Sequence, residues 1–314
     1  MAQAGIADDK LRMVIIGAGR VGTTTAYAAL LTGVADEITM VDAERERAEG
    51  EAMDLIHGLP FMPPAEVHAG GYDACANADL IVLTAGAPRQ QGDSRLDLAR
   101  RNLDLLAAVA PQVAAENPDA LLLIVSNPVD LITLAVRRLL GFRPERVIGT
   151  GTVLDSARLR AVLARHFQVD ARSVHSYILG EHGDSQFPAW SLARIGGATL
   201  DSFARAAGRE WGPEVRERLA AEVRQAGAEV IRRKGGTHFA IGLATARLAR
   251  ALLHDERSVH TVSTELVGEM GLRDVALSLP CVLGRAGRIT LLPLDLDDVE
   301  RRALDASADL LRSA

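Results

Sequence analysis

The stretch LRMVIIGAGRVG at residues 11–22, continued by TTTAYAALLTG, decides how the first half of the chain folds. It reads as a short apolar strand running straight into Gly17-x-Gly19-x-x-Gly22. That spacing suits the first turn of a dinucleotide-binding βαβ unit. Gly17 permits the tight turn and Gly19 lets backbone approach a pyrophosphate. Gly22 lets the next helix pack closely on the strand, with its N-terminus facing the phosphates. Val21, inside the same loop, joins the binding candidates. A chain with 28 glycines also produces such a pattern by chance, so the context matters. A second apolar strand at residues 37–41 ends in Asp42, where a carboxylate would accept hydrogen bonds from the adenosine ribose.

At 314 residues the chain can bury a large core, and its length suggests about two domains. A hydrophobic share of 48% with 24% charged residues is ordinary for a soluble globular protein. The net charge of −6 and the lack of any basic block exclude a general attraction to nucleic acid. Positive charge is almost all arginine, since Lys10 and Lys234 are the only lysines. Cys75 and Cys281 fit no metal-ligand or redox spacing, so buried small apolar side chains and no metal site are expected. The opening MAQAGIADDK lacks the pattern of a signal peptide, and no apolar run is long enough to cross a membrane. A cytoplasmic protein is expected.

Over residues 1–150 strands and helices alternate. Helices are expected at 23–31, 43–57, from about 96, and at 129–140; strands at 67–69, 80–83, 120–125 and 147–148. The pattern predicts an α/β fold with a doubly wound, Rossmann-type parallel sheet. Its ligands would sit at the carboxyl ends of the strands, where residues 17–22, Asp42, Gly86 and Asn127 fall. Residues 151–314 have another rhythm: helices at 154–166, 213–233 and 237–253, strands at 174–179, 259–263, 275–280 and 289–292, and a closing helix from Leu296. This suits an α+β catalytic or substrate domain.

Three polar loops need a joint explanation: GAPRQQGDSR at residues 86–95, LDSAR at 154–158 and GEHGD at 180–184. They supply arginines, an acid and a histidine next to a nicotinamide site. Hydride transfer to a 2-oxo acid requires that inventory: a proton donor for the carbonyl oxygen, a cation for the carboxylate, and a cation to polarise the C=O bond. With VIIGAGRVG, TAGAPRQQGDSRLDLARRN, IVSNPVDLIT, GTGTVLDSARLR, YILGEHGDSQFPAWS and KGGTHFAIG in order, the chain resembles the L-lactate/malate dehydrogenase family over nearly its whole length. The resemblance is nearest to the lactate dehydrogenase branch.

The resemblance implies NAD as cofactor and a small 2-oxo or 2-hydroxy acid as substrate. It makes His182 the proton donor and acceptor, with Asp155 holding the imidazole and favouring its charged form. Arg158 would bind the substrate carboxylate through a two-pronged pair, and Arg95 would be brought down by a mobile loop onto the carbonyl. Asn127 would contact the substrate or nicotinamide, and Thr237 would line the pocket. A homotetramer is implied, with a dimer as alternative. Arg160 and His175 match positions that bind fructose 1,6-bisphosphate between subunits in allosteric bacterial members. Read singly, Arg158 is also a helix-surface charge, Asp155 a helix N-terminal acid, Thr237 a helix cap, and Arg160 with His175 a structural pair. His57, His68, His166, His238, His254 and His260 are expected on the surface or as hydrogen-bonded core residues.

Arg89, six residues before Arg95, bears on the substrate. At the matching position lactate dehydrogenases typically carry glutamine and malate dehydrogenases arginine, which pairs with the second carboxylate of oxaloacetate. Burying that carboxylate without a counter-charge would cost several kcal/mol. Arg89 therefore leads to an expected oxaloacetate/L-malate preference on a lactate dehydrogenase-like frame. Glu181, Asp93 and Thr237 are lactate-like, and a one-residue shift of the loop would put Gln90 in place and turn Arg89 to solvent. Pyruvate/L-lactate is the alternative. Asp42 would repel a 2′-phosphate, so NAD is expected over NADP, with Arg45 and Arg47 nearby.

Overall fold

The apolar runs RMVII, LIVL and LLI form the middle of the molecule because both of their faces are covered, as in the central strands of a parallel sheet. The computed structural model describes residues 10–87 and 95–313, with residues 95, 96 and 98 described by their backbone. The first half contains β1 (Arg12–Ile16), α1 (Arg20–Leu31), β2 (Glu37–Val41), α2 (Arg45–Gly58), β3 (Glu66–Ala69) and β4 (Leu80–Leu83). It continues with α3 (Arg95–Glu116), β5 (Leu122–Ile124), α4 (Val129–Leu140) and β6 (Val147–Gly149). The second half starts with α5 (Val153–Phe167), β7 (Val174–His175), β8 (Ile178–Leu179), β9 (Phe187–Pro188), β10 (Arg194–Ile195) and β11 (Ala198–Thr199). Then come α6 (Leu200–Ala207), α7 (Pro213–Lys234), α8 (Phe239–Leu253), β12 (Ser258–Val267), β13 (Arg273–Gly284), β14 (Gly287–Leu291) and α9 (Asp298–Arg312).

Among the described residues the main sheet runs β3-β2-β1-β4-β5-β6-β12-β13-β14. Its first six strands are parallel, and β12, β13 and β14 extend it antiparallel. The chain enters in the middle at β1, moves out to β3 and returns to β4 on the other side. The strand order therefore reverses between β1 and β4, and a crevice opens at their carboxyl ends. Alternation along β1 splits the core. Met13 and Ile15 face the layer of α1, α2 and α8, whereas Val14 and Ile16 face α3 and α4.

The fold is of the expected α/β, doubly wound class, and the structure refines several elements. The α1 helix starts at Arg20, so Gly22 lies inside it. Residues 174–179, expected as one strand, form two: β7 joins a small sheet with β10 and β11, and β8 pairs with β9. The strands expected at 259–263 and 275–280 are longer and continue the first sheet, with Ser263 opposite Gly149. Helix α8 also packs on α1, with Ala246, Leu248, Ala249 and Leu252 in the same core cluster as Ala26 and Leu30. Cys75 and Cys281 are buried free thiols, which burial pushes up to about 12. No helix among the described residues is long and apolar enough to cross a membrane.

The closing helix α9 is held by a capping box. Asp297 Oδ1 accepts from the N–H of Val299 and of Glu300, each at 2.9 Å, and Glu300 Oε2 accepts from Asp297 N at 3.3 Å. Asp297→Ala removes the acceptor for these N–H groups and is expected to destabilise by about 1 kcal/mol. The readout is a lower urea midpoint at unchanged slope.

Candidate active site

Gly17 and Gly22 shape the crevice by what they leave out. At Gly17 φ is +111°, and a Cβ there would lie 2.6 Å from Ala85 N. A Cβ at Gly22 would overlap Gly17 O, so the start of α1 sits directly against the end of β1. Thr84, just past β4, ties the loop down by donating to Gly17 O at 2.8 Å. Gly19 is the N-cap of α1 and carries no side-chain cap; the nearest atom to a Cβ there would be Arg47 Nη2, at 3.9 Å. The helix thus presents its N-terminus to an uncluttered groove, which fits a pyrophosphate. Val21, in the first turn of α1, packs half-buried on the core. Asp42, just past β2, accepts from Ala18 N at 2.6 Å and from Glu44 N at 3.0 Å, so it braces the loop as well as ending the groove.

The ends of β4 and β5 are joined by a residue that sequence reasoning missed. Asn102 on α3 is 4% exposed. Its Nδ2 donates to Asn127 O at 2.6 Å and its Oδ1 accepts from Ala87 N at 2.7 Å. Gly86 is exposed beside it, and the Asn127–Pro128 peptide is cis. The only signal was an amide at a position of ARRNLDLL that faces inward, among charged neighbours that face out.

His182 lies in the loop after β8. Gly180 forms a two-way backbone bridge with Ser278 on β13, at 3.1 and 2.9 Å. Glu181 N donates to Ser307 Oγ on α9 at 2.8 Å, and His182 N donates to Asp130 Oδ2 on α4 at 2.7 Å. The imidazole itself is set by α5, since its Nδ1 lies 2.6 Å from Asp155 Oδ2. The other oxygen of Asp155 accepts from Arg158 Nη1 at 2.8 Å, one helical turn on. Asp155 is 1% exposed, while the side chains of His182 and Arg158 keep 29% and 19% exposure. The acid is therefore sealed in, and the two groups it organises still reach the crevice.

Burial disfavours charge on His182, but the hydrogen bond and charge of Asp155, together with the charge of Asp130, outweigh it and raise the imidazole above the ordinary histidine value. Burial likewise opposes charge on Asp155, yet His182 and Arg158 hold its carboxyl below the usual range. An imidazole of this kind can give and take a proton near neutral pH, and a guanidinium beside it can hold a carboxylate.

The structure brings His182, Asp155 and Arg158 together. Thr237 sits half-buried just before α8, whose N-cap is His238 and has no side-chain cap, so Thr237 does not cap that helix. Arg160 donates to Ala171 O at 3.5 Å, and His175 lies exposed on β7 opposite Arg194. Arg89 lies outside the described residues, and Arg95 opens α3 with its side chain likewise outside them. Far from the crevice, Glu37, Glu66 and His68 converge at the sheet edge, but Lys10 and Arg12 already neutralise the two carboxylates, at 2.7 and 3.4 Å.

Comparison with known proteins finds one family along nearly the whole chain. Residues 11–149 match the model for the lactate/malate dehydrogenase NAD binding domain, and residues 152–314 that for the lactate/malate dehydrogenase alpha/beta C-terminal domain. The chain is 45% identical over 309 residues to an L-lactate dehydrogenase of Treponema denticola, covering 98% of each. It is 41% identical over 302 residues to one of Thermoanaerobacter pseudethanolicus, covering 96% of this chain and 97% of the other. The minor L-lactate dehydrogenase of Enterococcus mundtii superposes with a TM-score of 0.94 at 37% identity, covering 97% of each chain.

The His182–Asp155 pair makes a direct prediction. His182 should titrate above about 6.5, and Asp155→Asn should bring it below that value, because burial then acts with less opposition. Histidine NMR titration reads both midpoints.

Proposed function

The chain belongs to the lactate/malate dehydrogenase family, and on that premise we propose that it interconverts pyruvate and L-lactate with NAD(H). The carrying observation is the His182–Asp155–Arg158 cluster, with a sealed carboxylate holding an accessible imidazole on one oxygen and an accessible guanidinium on the other. The lactate dehydrogenase relatives support pyruvate over the oxaloacetate preference expected from Arg89. The first domain binds NAD, and NADH supplies the hydride.

In this reading Arg158 clamps the substrate carboxylate and so orients the carbonyl towards His182. Protonated His182 gives its proton to the carbonyl oxygen as the alcohol forms, and Asp155 keeps the imidazole in the tautomer that can take it back. Arg95 polarises the carbonyl, Asn127 contacts the substrate or nicotinamide side, and Thr237 lines the pocket. On the cofactor side, Gly17, Gly19, Val21, Gly22 and Gly86 border the dinucleotide and Asp42 faces the ribose. Reduction consumes one proton per turnover. The sign follows: reduction is fast with His182 protonated and is lost as pH rises through its raised pKa, whereas lactate oxidation gains over the same window.

Arg89 supports a second reading, oxaloacetate/L-malate, in which it pairs with the second carboxylate. The same family reading includes a cytoplasmic location and fructose 1,6-bisphosphate activation through Arg160 and His175. It also includes a homotetramer or dimer. Apolar side chains support association: Tyr27 and Leu31 on α1, and Phe239 and Leu243 on the adjacent α8, are 49 to 64% exposed. Sedimentation should find an oligomer, and a monomer at micromolar concentration would remove that element.

Steady-state assays with both acids test the substrate. Pyruvate should have the higher kcat/KM, and Arg89→Gln should leave the ratio nearly unchanged. A parent preference for oxaloacetate that Arg89→Gln reverses by about a hundredfold or more would establish the second reading instead.

A further inference from the structure

Behind His182 lies a second carboxylate that the reaction scheme above does not use. Asp130, in the first turn of α4, is 3% exposed. Its Oδ2 accepts the backbone N–H of His182 at 2.7 Å. Its Oδ1 accepts no hydrogen bond among the described residues. The groups facing the imidazole are Asp155 and Arg158 from α5 and Asp130 from α4. Those facing Asp130 are His182 and Glu181 from the loop and the uncharged Ser263 from β12. Asp130 is thus a buried acid whose positive neighbour is the imidazole itself.

An amide at this position would accept the same backbone N–H without the cost of a buried charge. A pin for the loop does not require a carboxylate. What a carboxylate adds is a field, and because Asp130 is itself buried, that field reaches His182 through protein more than through water.

We infer that Asp130 is a positioning residue for proton transfer: it fixes the backbone at His182, and its negative charge, added to that of Asp155, favours the protonated imidazole. The inference rests on the reading of His182 as the proton carrier. Asp130 and His182 form a linked pair. Burial pushes the Asp130 carboxyl up to about 6, with the backbone N–H and the charge of His182 acting against it. As pH falls towards that value Asp130 loses its charge, and His182 loses part of its support.

The test uses the full chain with Asp130→Asn and Asp130→Ala. The His182 resonance is assigned by its loss in His182→Asn. Asp130→Asn keeps an acceptor for the loop and removes the charge, so the His182 midpoint should fall by about half a pH unit or more. The alkaline limb of kcat for pyruvate reduction should move down with it. Asp130→Ala should add a loss of kcat across all pH values, because the loop is then unpinned. Asp130→Ala removes the charge as well, so should Asp130→Asn fold poorly, it should lower the His182 midpoint in the same way. A His182 midpoint unmoved by the charge-removing variants overturns the inference, whatever happens to kcat. Persistence of turnover in His182→Asn would instead overturn the proton-carrier reading, which the NMR titration does not depend on.

Discussion

The hydrogen bond between His182 Nδ1 and Asp155 Oδ2, 2.6 Å long and closed to solvent on the acid side, is the constraint around which the second half of the chain is built. A carboxylate buried to this degree is costly unless both of its oxygens are used. Here one oxygen serves the imidazole and the other serves Arg158. Neither partner can be moved far without leaving a buried charge alone, so α5 and the loop after β8 must stay in register. The neighbouring elements meet that demand. Strand β13 holds Gly180, α9 holds Glu181 and α4 holds the His182 backbone.

The groove on the other side of the crevice is made in an opposite manner, by absence. The glycines at 17 and 22 let β1, α1 and the end of β4 approach to distances that a side chain would forbid. Charge enters there through a helix N-terminus instead of through a placed cation. The two halves of the crevice thus differ in kind: one is a backbone cradle that accepts an anionic group, and the other is a set of paired side chains that moves a proton. Their common position follows from the strand order, which reverses between β1 and β4.

Much of this was legible in the sequence because it is written at short range. The glycine loop, the buried strands and the spacing of Asp155 and Arg158 depend on a few consecutive residues. His182, Asp155 and Arg158 were found through motifs, and the structure brings them into contact. Asn102, Asp130, Ser278 and Ser307 were not found, because each is an ordinary polar residue until a partner 15 to 126 positions away is placed against it. Residues 174–179 misled for a related reason. The short stretch VHSYIL looks the same whether it stays in one sheet or, as here, turns at Ser176 and Tyr177 from one small sheet to another. The long strands β12 and β13 were truncated because much of their length is buried on both faces, so there was no alternation to mark their ends.

The pairing of Ser263 with Gly149 has a mechanical consequence. It stitches the strands of the second half onto the parallel sheet of the first, while Gly242 lets α8 sit against Thr24 of α1 at a separation no Cβ would allow. Thr152, at the crossing between the halves, gives its N–H to Ser278 Oγ at 3.1 Å. The cradle and the proton-moving cluster are therefore carried on one continuous sheet, so the placement of one sets the placement of the other.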